Sequence, residues 1–149
     1  MNVNVAKETA MEFKIRRVNE EDERIGRFIH DEFLSYSEEN EIPLDYDSFC
    51  YTAENEEGKI IGVITGHAFY DEVHISDLVI DRKYRRSGLG SRLVRTVEDA
   101  YKGKGYEIIT LSTFAFQAPD FYGKLGYETE FVRNSKDSKL NRYFMYKKI

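Results

Sequence analysis

The sequence predicts a single mixed α/β domain, and three observations carry the prediction. Strand-like and helix-like periodicities alternate along the 149 residues. That length suits one continuous core that needs no disulfide or metal staple. The two longest uncharged stretches, Ile60–Tyr70 and Ile108–Pro119, span 11 and 12 residues. They match buried strands with their flanks and fall well short of the roughly 20 apolar residues of a bilayer span. With 41% hydrophobic residues, 33% charged and only two prolines, disordered and fibrous classes are excluded.

Residues 1–11 read as a flexible N-terminal extension with no secretory pattern, and 12–149 as the folded domain. Phe13 and Ile15 alternate with Lys14 and Arg16, which predicts a strand over Phe13–Val18. Asn19 with Asp22 three residues on resembles a helix cap, and Ile25, Phe28, Ile29, Phe33 and Tyr36 then recur at helical spacing. Strands Phe49–Glu54 and Lys59–Ala68 flank the turn Asn55-Glu56-Glu57-Gly58, and Val73–Ile80 follows. Leu89, Leu93, Val94, Val97, Ala100 and Tyr101 mark an amphipathic helix that ends by Gly103 or Gly105. Tyr106–Leu111 is an apolar strand. Pro119 opens a short helix closed by Gly126, and strands Tyr127–Arg133 and Leu140–Lys147 flank the polar turn Asn134–Ser138.

Cys50 is the only cysteine, so neither an intrachain disulfide nor a Cys-based zinc site can form. His30, His67 and His74 lack metal-ligand spacing, so no metal is expected. The expected location is the cytoplasm. The net charge of −5 conceals an asymmetry. From Asn19 to Glu57 there are 14 Asp/Glu against two Lys/Arg, a net −12, whereas Arg82 to Arg95 holds six Lys/Arg and no acid, a net +6. Such a field draws a polyanion to one place and a cation to another.

The informative junction is Val79–Arg92, where a strand runs through Asp81-Arg82-Lys83-Tyr84 into Arg85-Arg86-Ser87-Gly88-Leu89-Gly90 and then a helix. Glycines at 88 and 90 permit close backbone approach, and unpaired N–H groups at a positive helix end suit an anion. A Walker A loop would need Gly-Lys-Ser/Thr, but Gly90 is followed by Ser91-Arg92. A dinucleotide fingerprint would need a third glycine, but position 93 is Leu. The remaining reading is a phosphate cradle of another kind.

The hexapeptide Arg85-Arg86-Ser87-Gly88-Leu89-Gly90 resembles the Arg/Gln-x-x-Gly-x-Gly/Ala pyrophosphate loop of the GNAT superfamily of acetyl-CoA-dependent N-acetyltransferases. About 30 residues downstream, Gln117-Ala118-Pro119-Asp120-Phe121-Tyr122-Gly123-Lys124-Leu125-Gly126-Tyr127 is similar to that family's Phe/Leu-Tyr-x-x-x-Gly-Phe/Tyr element. The resemblance covers roughly Phe13 to Ile149. It implies a mostly antiparallel, twisted sheet of six to seven strands with about four helices, the fourth and fifth strands splaying apart to admit acetyl-CoA as co-substrate. It further implies that Leu78, Val79 and Ile80 offer backbone groups to pantetheine, and that Arg85, Arg86, Ser87, Gly88, Leu89, Gly90 and Ser91 hold the pyrophosphate. Arg82 and Arg86 stand where relatives often have Pro and Gly.

By the same resemblance Tyr122 donates a proton to the leaving thiolate; the alternatives are a hydrogen bond to sulfur or a core aromatic. The general base is open. By alternation His74, Ser76, Leu78 and Ile80 share one face, and positions 74 and 76 coincide with places where some relatives carry a catalytic Glu or His. His74 is therefore the first candidate, Glu72 the second and His67 the third, while nothing adjacent marks Cys50 as a nucleophile. Direct transfer to a primary amine is expected, the acidic first-helix region suiting a cationic acceptor. The alternative is a non-catalytic acyl-CoA-binding module. The net charge of −5 argues against a nucleic-acid partner; no membrane partner is expected, and a monomer or homodimer is.

Overall fold

The computed structural model describes residues 12–149; the expected extension 1–11 lies outside the described residues. Two compact units are present, one ending at Pro43 and one running Leu44–Ile149. In the first, residues 13–18 are not a strand. Alternation says which side chains share a face, but a strand also needs a neighbour's ladder, and none pairs here among the described residues. Phe13 and Ile15 are accordingly 81% and 90% exposed. Helix α1, Glu23–Glu39, is capped by Asp22, which accepts from the Arg24 amide at 3.0 Å. Asn19, expected to share in the cap, instead closes a turn before it by accepting from the Glu21 amide.

The second unit contains β1 (Tyr46–Glu54), β2 (Ile60–Phe69), β3 (Glu72–Ile80), α2 (Leu89–Tyr101), β4 (Ile108–Phe114), α3 (Pro119–Lys124), β5 (Glu128–Arg133) and β6 (Arg142–Lys148). One-turn 3₁₀ helices occupy Arg82–Tyr84 and Ser138–Leu140. Three α-helices are thus described where about four were expected. The six strands form one sheet in the order β1-β2-β3-β4-β6-β5. All neighbours are antiparallel except β3 and β4. That parallel pair is confined to Glu72–His74 against Ile108–Thr110. Beyond it the two strands part, which is the splay that the family resemblance implied between the fourth and fifth expected strands.

One face of the sheet is covered by α2, whose Leu93, Val94, Val97 and Tyr101 are buried against residues such as Ile64, Val73 and Ile109. Fully burying a Val or Ile side chain is worth about 1.5–3 kcal/mol, so packing rather than helix propensity holds α2 in place.

The register between β2 and β3 slips where Thr65 faces Asp77 but Gly66 faces Ile75, leaving Ser76 as an extra residue. The slip reverses the alternation. Val73 and Ile75 are buried on the α2 side, and Leu78 and Ile80, which also pack on that core, resume that side after the bulge. His74 lies on the opposite face, beside Glu72 and across from His67. The expectation that His74 shares a face with Leu78 and Ile80 is therefore corrected. Gly66 permits the close approach, since a Cβ there would collide with the His74 carbonyl oxygen and the Phe49 ring.

Candidate active site

The cradle begins where β3 ends. Asp81 accepts from the Lys83 amide, closing the 3₁₀ turn, and Arg85 Nε donates to the Ile80 carbonyl at 3.2 Å, folding the basic loop back on the strand end. Ser87 donates its hydroxyl proton to the Tyr84 carbonyl at 2.5 Å. Arg86 and Gly88 both take left-handed conformations, φ 61° and 82°, and Gly88 caps α2 without a side-chain acceptor. Among the described residues, no protein acceptor takes the amides of Arg86, Ser87, Gly88, Leu89, Gly90 or Ser91; the next amide, of Arg92, bonds the Gly88 carbonyl at 3.1 Å. Six consecutive donors at a helix start, among exposed arginines, make a site for a polyanion. The donor set fits a pyrophosphate, with Arg85 and Arg86 as its cationic rim.

Next to the cradle is the open edge of β3. The Asp81 amide donates to the Ile61 carbonyl on β2 at 2.8 Å. Backbone direction alternates along a strand, so Val79 also turns to β2 while Leu78 and Ile80 turn their backbone groups to the splay. Those groups can pair with an extended amide-bearing chain as a missing strand would.

Tyr122 lies on α3, which Pro119 starts at its first turn. The ring is buried on the α2 side of the sheet, edge-on to Phe121 and Tyr127 at 5.0 and 5.8 Å. Phe121 in turn sits against Gly90, where a Cβ would come within 3.2 Å of the ring. The tyrosine helix is thereby tied to the cradle. The Tyr122 hydroxyl makes no side-chain hydrogen bond among the described residues, and no buried polar side-chain atom there lacks a partner. The phenol oxygen must therefore reach open space. Burial pushes the Tyr122 phenol up to about 12.

On the other face, three side chains form a chain of hydrogen bonds. The Thr110 hydroxyl donates to Glu72 Oε1 at 2.5 Å, and Thr110 Oγ1 stands 2.8 Å from His74 Nδ1. A hydroxyl has one proton, and here Glu72 takes it, so the hydrogen-bond network assigns the imidazole proton to Nδ1 and leaves the Nε2 lone pair as an acceptor. Burial, then the charges of His67 and Arg142, hold His74 below the ordinary imidazole value of 6.5, against an opposing pull from Glu72. The neutral form is favoured, as a base requires.

The structure therefore joins the two leading base candidates, Glu72 and His74, through Thr110, which sequence reading missed. It also sets the cradle residues Arg85 to Ser91 beside the strand edge and ties them to α3 and Tyr122. His67 stacks on Tyr46 and Phe69 and lies 5.3 Å from the His74 ring. Cys50 is exposed on β1 opposite Thr65. Thr110 had one faint signal, a hydroxyl within a strand expected to border the splay.

Residues 13–127 match the acetyltransferase (GNAT) family. A blasticidin-S acetyltransferase of Streptomyces morookaense is 36% identical over 73 residues, 48% of this chain and 54% of that protein. The chain spans about half the length of the curated relatives it matches. An acetyltransferase structure from Bacillus cereus is similar with a TM-score of 0.73 and 30% identity, covering 92% of this chain and 98% of its own. A GNAT family acetyltransferase from Elizabethkingia anophelis, solved with acetyl-CoA bound, shares the fold with a TM-score of 0.59 and 15% identity over 83% of each chain.

Proposed function

The chain belongs to the acetyltransferase (GNAT) family, and on that premise we propose that it moves an acetyl group from acetyl-CoA directly to a primary amine. The observation that supports this reading most is the run of six unpartnered amides from Arg86 to Ser91 beside the splay. In this reading those amides hold the pyrophosphate, with Arg85 and Arg86 adding screened attraction at the rim. Leu78 and Ile80 align the pantetheine arm through backbone hydrogen bonds, and an amide aimed at the thioester oxygen would stabilise charge that develops there. The co-substrate supplies an acyl group activated as a thioester.

His74 Nε2 accepts the proton that the amine must lose, directly or through water, while Glu72 and Thr110 fix the imidazole tautomer. Tyr122 supports the departing sulfur with its phenol proton. Base and phenol stand on opposite faces of the sheet, and the splay is the passage between them. The test is release of free thiol from acetyl-CoA on addition of a panel of primary amines. Amine-dependent release is expected. Tight acetyl-CoA binding with no release for any amine would overturn the enzyme reading in favour of an acyl-CoA-binding module.

A further inference from the structure

The far lip of the splay carries a guanidinium with no carboxylate beside it. Arg142 opens β6 opposite Phe114. Its Nε and Nη2 donate to Ser112 Oγ at 3.0 and 2.7 Å, and its Cζ stands 5.7 and 5.1 Å from the ring centroids of Phe114 and Phe144. The group is half-buried, yet it makes no ion pair among the described residues. Lys147, another half-buried cation on the same strand, is paired with Glu98 at 2.9 Å. A guanidinium has five N–H donors; Ser112 takes two, and stacking on two rings fixes the plane of the rest. An oriented, partly desolvated fork of this kind matches a carboxylate or a phosphate.

Its position relates it to the base. Ser112 follows Thr110 by two residues and shares its face of β4. Pairing with β3 stops at His74 and Thr110, so Ser112 borders the opening from the β4 side while His74 borders it from the β3 side, and Arg142 reaches across from β6, the next strand, to Ser112. The Arg142 charge is felt at the His74 ring.

We infer that the amine acceptor also bears an anionic group, carboxylate or phosphate, which Arg142 holds while the amine faces His74. The inference rests on the transferase reading above and names its substrate class: a zwitterionic amine rather than a simple polyamine.

The experiment compares matched acceptors by thiol release: alanine, lysine and glutamate beside their C-terminal amides, and O-phosphoethanolamine beside ethanolamine. The expected result is a kcat/KM preference of about 10- to 100-fold for the acid-bearing member of at least one pair, the size of a lost charged hydrogen bond. Whether the amino acids or O-phosphoethanolamine show it separates carboxylate from phosphate. In Arg142→Gln the preference should fall to near parity with the KM for acetyl-CoA unchanged, and Arg142→Lys should retain part of it. Should Arg142→Gln fail to fold, the same acceptor-against-acetyl-CoA split in Arg142→Lys decides. Equal use of acids and amides by the unmodified protein would overturn the inference. So would a preference that survives Arg142→Gln, or a rise in the acetyl-CoA KM that matches the acceptor effect. Acetyl-CoA binding, seen as a raised Tm, with turnover of the amides or ethanolamine but of no acid-bearing amine sinks this inference alone. No binding of acetyl-CoA at all sinks the transferase reading on which it rests.

Discussion

A phenol pushed up to about 12 at Tyr122 is a poorer acid than a thiol near 8.5 by about 3.5 pKa units, or ~5 kcal/mol. On the proposed reaction, full proton transfer ahead of C–S cleavage would thus be uphill, and the hydroxyl would serve best as a hydrogen-bond donor to charge growing on sulfur. Tyr122→Phe keeps the ring packing and should lower kcat by about 10- to 100-fold with little change in acetyl-CoA KM. The alkaline limb of the kcat profile should stay in place, since Tyr122 itself ionises beyond it. A kcat loss beyond about 10³-fold, with that limb removed, would show full general acid catalysis instead. On the other face, Glu72 is, among the described residues, the neighbour that raises the His74 pKa, against burial, His67 and Arg142. Glu72→Gln removes that pull, so the acid limb of kcat/KM, expected below 6.5 in the unmodified protein, should move to still lower pH as the rate falls. Thr110→Val leaves the carboxylate but breaks both hydrogen bonds, so it should cost about tenfold in kcat with a smaller movement of the limb. An acid limb unmoved by either change would remove His74 as the base.

Between β2 and β3, the bulge at Ser76 turns one strand into two facings: Val73 and Ile75 before it, Leu78 and Ile80 after it, all pack on α2. Gly66 makes room for it, and Gly66→Ala should destabilise the protein by about 3 kcal/mol or more in urea unfolding, since both a backbone oxygen and a ring stand in the way. The two cradle glycines should behave differently. None of the described residues lies within 4 Å of a Cβ at Gly88, but φ is 82°, so Gly88→Ala should cost about 1 kcal/mol through the backbone and weaken acetyl-CoA binding. At Gly90 a Cβ presses on Phe121, which packs on Tyr122, so Gly90→Ala should lower kcat as well as affinity. Equal effects on kcat at both glycines would rule out that contact as the route. Alternation and helical spacing located β1, β2, β3 and α2 to within about three residues because those elements have one buried face. The same alternation over Phe13–Val18 finds no ladder among the described residues. The bulge was not legible because Ser76 continues a plausible strand pattern, and only its partner strand shows it to be an extra residue. Thr110 was hidden because its role comes from pairing with His74, 36 positions away.

At the scale of the whole molecule, the sheet consists of a β1-β2-β3 half and a β4-β6-β5 half joined by three residue pairs, Glu72–His74 with Ile108–Thr110. A sheet left open in this way exposes backbone groups that water must satisfy until a ligand takes them over. The cradle amides from Arg86 to Ser91 are in the same condition. Amide hydrogen exchange, read residue by residue with and without acetyl-CoA, should show the consequence. Leu78, Ile80 and the cradle run should exchange quickly in the free protein and slow on binding. Val79, whose backbone turns to β2, should change little. The alternation is what separates direct contact from general tightening, because a ligand that merely stabilised the folded state would slow Val79 together with its neighbours. Raising the ionic strength should weaken the overall affinity while leaving this alternating pattern intact at saturating ligand, since salt screens the arginine rim and not the backbone donors. Protection at the cradle with none at Leu78 and Ile80 would place the ligand outside the splay and would remove the passage proposed to link Tyr122 to His74.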